Sequence, residues 1–171
     1  YSSAASDVYK RQPFTYRNQR TKEAMEDFFL RIPKERLYQL TGIQFMPFNT
    51  LFQLYSMVRD NSPQLEITTD LLFIPDIFSY YLTGIKKSEF TFATTSQLYN
   101  PRTESWEDEI FAQLGISQDI MQEIVQPGTI IGEITNNVRA QTGLKSIPIV
   151  AVASHDTGSA VAAVPASGKK F

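Results

Sequence analysis

The 171-residue sequence predicts an α/β fold in which a helix-rich middle is followed by parallel strands. Apolar residues recur at helical spacing from Thr21 to about Leu114, and the pattern turns extended after Gln126-Pro127-Gly128. The run Pro148-Ile149-Val150-Ala151-Val152-Ala153 is continuously apolar, as a strand covered on both faces requires, so it reads as a buried parallel strand.

The first helix follows from Met25, Phe28, Phe29 and Ile32, which fall at i, i+3, i+4 and i+7 and should stop before Pro33. Pro33 suits the first position of a second helix, in which Leu37 and Leu40 share a face and Gly42 supplies a left-handed end. Asn49 is placed to cap a third, carrying Leu51, Phe52, Leu54, Tyr55 and Val58, with Asp60-Asn61-Ser62-Pro63 as its stop. Pro75 opens a fourth through Phe78, Tyr81 and Leu82, closed at Thr83-Gly84. Ser105 and Asp108 are spaced as a capping box ahead of Trp106, Ile110, Phe111 and Leu114, with Gly115 as the end. Ile130 to Ile134 then reads as a strand, Asn136 to Gln141 as a helix ending at Gly143, and the small residues from Thr157 to Val164 as a tightly packed helix.

Both ends stand apart from this pattern. Residues 1–12 lack an apolar period and read as a non-native tail, and Gly168-Lys169-Lys170-Phe171 reads as the approach to another strand.

Composition removes several classes of function. Lys plus Arg number 16 and Asp plus Glu 18, giving a net charge of −2 with no long run of one sign, so nucleic acid and anionic membrane are not expected partners. The absence of cysteine excludes a disulfide framework and a thiolate nucleophile, and a single histidine offers little for a transition metal. Runs such as Leu71-Leu72-Phe73-Ile74 fall far short of the ~20 residues that span a bilayer. A cytoplasmic protein with no redox chemistry is the expectation.

The segment Ser154-His155-Asp156-Thr157-Gly158-Ser159 lies where the buried strand gives way to a helix. In open α/β sheets ligands bind at that edge. Four readings of it compete. Asp156 or Thr157 can simply cap the helix, with His155 a turn residue. A Ser154-His155-Asp156 triad is disfavoured because consecutive side chains of extended chain point to opposite sides. Asp156-Thr157-Gly158-Ser159 matches the loop of aspartic proteases, but those enzymes pair two carboxylates, and no second Asp-Thr-Gly exists here. Lastly, Asp156 can act as the general base that takes a proton from a hydroxyl attacking a phosphoryl group, a reaction asking chiefly for alignment and a carboxylate within reach.

Longer stretches sharpen the choice. Besides Ser154 to Val161, the segments Tyr16-Arg17-Asn18-Gln19-Arg20-Thr21, Thr41-Gly42-Ile43-Gln44-Phe45-Met46-Pro47-Phe48-Asn49-Thr50-Leu51-Phe52-Gln53-Leu54, Phe73-Ile74-Pro75-Asp76, Phe78-Ser79-Tyr80-Tyr81-Leu82-Thr83-Gly84 and Ala93-Thr94-Thr95-Ser96-Gln97-Leu98 resemble the FGGY carbohydrate kinase family, in particular its rhamnulokinase branch. The likeness runs in order from about Pro13 to the end, with Asn18 where many relatives carry Asp.

The resemblance implies a partial actin-like, ribonuclease H-like domain over residues 13–171, the N-terminal domain of a kinase that uses ATP and Mg2+ to phosphorylate L-rhamnulose at its 1-hydroxyl. It implies Asp156 as the catalytic proton acceptor, and His155, Asp156 and Thr157 as the sugar-binding segment, with Phe48 and Asn49 near the sugar. It also implies that the nucleotide and its magnesium are held mainly by regions this sequence does not contain, and that the 171 residues alone are marginally stable or aggregation-prone, and inactive. Another FGGY kinase acting on a different ketose or polyol, an aspartic-protease-like site, and a non-catalytic sugar-binding domain are the alternatives.

Overall fold

The computed structural model describes residues 14, 15 and 18–165; the expectations for residues 1–12 and 168–171 lie outside them. Helix α1 (Arg20–Phe28) buries Thr21, Ala24 and Phe28. It packs on α3 (Thr50–Arg59), whose inner face is Leu51, Phe52, Leu54 and Tyr55. Phe28 meets Phe52 and Tyr55 edge-on, with ring centroids 6.3 and 5.0 Å apart. Between these helices α2 (Lys34–Thr41) adds Leu37 and Leu40 to the core, and ends where Gly42 takes φ 66° and donates to the Tyr38 carbonyl at 2.8 Å. That left-handed residue is one few side chains tolerate. Pro33 stands one position before α2 rather than within it.

Asp60 ends α3 as expected, but Pro63 opens a further one-turn helix, α4 (Pro63–Glu66), using the first-turn position where its missing N–H costs nothing. Helix α5 (Ile74–Thr83) has Pro75 in its first turn and ends at Gly84. Strand β1 (Ser88–Glu89) runs directly into α6 (Phe90–Thr95) and pairs in parallel with β4 (Ile124–Val125). Between them β2 (Tyr99–Asn100) and β3 (Ser105–Trp106) form an antiparallel pair, followed by α7 (Asp108–Leu114). Ser105 is therefore not the cap of α7. It is held in the β2–β3 ladder, and Glu107 caps instead, accepting from the Glu109 amide at 3.2 Å.

The apolar run at 148–153 departs most from expectation. Only β6 (Pro148–Val150) is strand, and it pairs antiparallel with β5 (Ile130–Glu133) across α8 (Asn136–Thr142). Nor is it buried on both faces: α5 packs against the pair and Ala151 is buried, yet Val150 is 44% exposed and Val152 63%. A run without alternation signals two covered faces, and the described residues cover only one. Helix α9 (Asp156–Ala162) completes the order. The core that positions the site lies in α1–α3, α6, α7 and the short strands between them. No helix among the described residues is long and apolar enough to cross a membrane.

Candidate functional site

The buried carboxylate of Glu89 organises the junction of β1, α6 and the start of α9. Glu89 is 3% exposed and ends β1, so its side chain lies beside the first amides of α6 and accepts from Thr91 N at 2.8 Å and Phe92 N at 3.3 Å. The same carboxylate accepts from the Thr91 hydroxyl, and, from 65 residues further along, the amide and hydroxyl of Ser154 at 3.1 and 2.6 Å. Thr91 Oγ1 in turn accepts from the His155 amide at 3.1 Å. Burial pushes the Glu89 carboxyl up, but the hydrogen bonds from Ser154 and Thr91 outweigh it and hold the group below its ordinary range. Ser154 thus directs its hydroxyl proton to Glu89, which leaves no Ser154–His155 pair for a hydrolase triad.

His155 is the N-cap of α9: Nδ1 accepts from Thr157 N at 3.2 Å. In the neutral ring this assigns the proton to Nε2. The ring packs against Phe92 at 5.9 Å and lines a cleft of about 330 Å³ together with Phe48, Asn49, Thr50, Gln53, Phe92 and Thr95. Aromatic faces alternating with amide and hydroxyl groups suit a polyol, whose C–H faces and hydroxyls need both. Gly158 keeps α9 close to this junction, because a Cβ there would lie 3.3 Å from both Ala153 Cβ and Thr91 Cγ2.

Asp156 and Thr157 are not among the residues lining that cleft. The Asp156 side chain is 96% exposed; its Oδ1 accepts from Thr157 N at 2.7 Å and stands 3.1 Å from His155 Nδ1. Thr157 is exposed, with its hydroxyl 3.4 Å from the same carboxylate. The structure thus brings His155 and Asp156 together, the first at the cleft and the second beside it in the open. Asn49 is buried at the cleft with its amide committed to structure: Nδ2 donates to the Gln44 carbonyl at 3.1 Å and to Gln97 Oε1 at 2.9 Å. Phe48 forms part of the wall.

Sequence reading missed Glu89, Thr91, Gln53, Phe92 and Thr95. Glutamate is not among the preferred N-cap residues, so Glu89-Phe90-Thr91 carries no local cap signal. Its reach to Ser154 has no local signature. Three or more His, Asp or Glu side chains do not converge into a metal-holding group among the described residues, so these residues do not fit a protein-built magnesium cage.

A sequence model described as the FGGY family of carbohydrate kinases, N-terminal domain, matches residues 11–163. The chain belongs to this family. Among curated FGGY relatives, rhamnulokinase of Bacteroides thetaiotaomicron is 47% identical over 161 residues, covering 94% of this chain and 33% of the relative. Rhamnulokinase of Oceanobacillus iheyensis is 40% identical over 160 residues, covering 94% and 34%. The chain therefore spans about a third of the length of the curated relatives it matches. Of solved structures, gluconate kinase from Lactobacillus acidophilus aligns with a TM-score of 0.74 at 21% identity, over 81% of this chain and 28% of that one. Plasmodium falciparum glycerol kinase with ADP aligns at 0.70 and 16% identity, again over 81% and 28%. These likenesses establish the FGGY kinase fold for the α/β arrangement described above.

Proposed function

We propose that this chain is the N-terminal-domain part, over residues 13–171, of a cytoplasmic ATP-dependent kinase that phosphorylates L-rhamnulose at its 1-hydroxyl. The observation that carries the reading is the pairing of His155, which lines a polyol-suited cleft, with Asp156 3.1 Å away in the open. Two rhamnulokinase relatives, 47% and 40% identical, support the substrate.

His155 Nε2–H, with Gln53 and Thr95, offers donors and acceptors to sugar hydroxyls, while Phe48 and Phe92 cover the carbon face. Thr157 steadies the Asp156 carboxylate through its amide. Asp156 accepts the proton of the attacking hydroxyl as its oxygen bonds to the terminal phosphorus and the bond from that phosphorus to the bridging oxygen breaks, releasing ADP. ATP supplies the phosphoryl group. Its binding, with the accompanying magnesium, is assigned to the two thirds of the kinase beyond this chain.

The test is ADP release by the full-length enzyme with ATP and a panel of ketoses. L-rhamnulose is expected to exceed its epimers in kcat/KM by about 10²-fold or more, since a pocket built on hydrogen bonds rejects a misplaced hydroxyl strongly. Preference for another ketose would move the substrate within the family. Turnover of none would overturn the kinase reading.

A further inference from the structure

We propose that Glu89 is a positioning residue for the reacting end of the site, a carboxylate clamp that fixes Ser154 and His155 and thereby aims Asp156. The proposal rests on the kinase reading above. A helix cap needs only the bonds from Thr91 N and Phe92 N. Glu89 also receives the amide and hydroxyl of Ser154, and through Thr91 Oγ1 it is linked to the His155 amide. The two residues immediately before Asp156 are thus fastened at their backbone, Ser154 to Glu89 directly and His155 to the Thr91 hydroxyl that Glu89 holds. The Asp156 carboxylate itself accepts hydrogen bonds from Thr157 alone among the described residues. Its direction therefore depends on the backbone that precedes it.

The extra methylene of glutamate is what separates the two roles. Aspartate is a preferred N-cap and would still serve the amides of α6, but its shorter side chain withdraws from Ser154. Glu89→Asp in the full-length enzyme should keep the far-ultraviolet spectrum and Tm close to the parent while lowering kcat at least about tenfold, because an aim lost by about 1 Å is costly. KM for the sugar should move less than kcat. Glu89→Gln, which puts an NH2 group in place of one of the two oxygens that share five donors (Thr91 N on Oε1; Thr91 Oγ1, Phe92 N, Ser154 N and Oγ on Oε2), should be worse in both fold and rate.

Amide hydrogen exchange in the Glu89→Asp protein supplies a readout independent of turnover. Exchange at Ser154 and His155 should accelerate at least tenfold relative to α3. Parental kcat in Glu89→Asp, or unchanged exchange at Ser154 and His155, would overturn the clamp. Asp156→Asn made alongside separates the two ideas: if it retains turnover the base assignment fails, whereas its loss of turnover with Glu89→Asp fully active removes only the clamp.

Discussion

Asp156→Asn in the full-length enzyme is expected to lower kcat by roughly 10²–10⁴-fold, the range that a well-placed general base contributes. Asparagine keeps the carbonyl oxygen that accepts from Thr157 N at 2.7 Å, so the start of α9 is preserved. What is lost is the capacity to take up the hydroxyl proton. Because the Asp156 side chain is 96% exposed, its replacement should change stability by no more than about 0.5 kcal/mol. A fall in kcat therefore reports chemistry rather than unfolding. Steady-state kinetics at saturating sugar and ATP checks it, and a kcat within threefold of the parent would remove Asp156 from the mechanism.

Asp76→Asn is expected to stabilise the 171-residue chain near neutral pH and to flatten its dependence on acid. Asp76 is 5% exposed, its Oδ1 accepts from the Glu89 amide at 3.2 Å, and its Oδ2 has no hydrogen-bond partner among the described residues. Burial first, and then the neighbouring Glu89 charge, raise its carboxyl from an ordinary 3.8 to about 6. A carboxyl raised on folding binds more protons folded than unfolded between those two values, so its contribution is greatest below about 4 and declines as pH rises through 6. At pH 7 the ionised group costs on the order of 3 kcal/mol, of which the amide should recover about 1–3 while keeping the bond to Glu89. Glu89, held low, has the opposite sign: its stabilisation is present above its ordinary range and fades as pH falls below it. Denaturant melts at pH 4, 5, 6 and 7 check this. Parallel pH profiles for parent and variant between 4 and 6 would contradict it.

The helical part of the fold was legible because its signals are local. Phe28, Leu37 and Phe52, each at helical spacing within its own helix, are among the fully buried side chains of the core, and Gly42 and Gly84 mark helix ends by the left-handed backbone they adopt. Two local signals were outcompeted by tertiary pairing: Ser105 is taken up by β3, and the apolar run at 148–153 joins an antiparallel pair covered on one face. At the site, the strand-to-helix junction at Ser154 to Thr157 drew attention to His155 and Asp156 by chemistry and position. The cleft wall could not be read in the same way, since Gln53, Phe92 and Thr95 come from two helices whose meeting with His155 is a property of packing. Glu89 is legible as a cap only once α6 is known to begin at Phe90, and its second partnership with Ser154 is wholly long-range.

The geometry of the bound sugar tests the account most directly. In a structure of the full-length enzyme with L-rhamnulose, the sugar should lie in the cleft of His155, Gln53 and Phe92, with its 1-hydroxyl about 2.6–3.2 Å from the Asp156 carboxylate. A sugar held in that cleft with every hydroxyl beyond reach of Asp156, or bound elsewhere altogether, would contradict it.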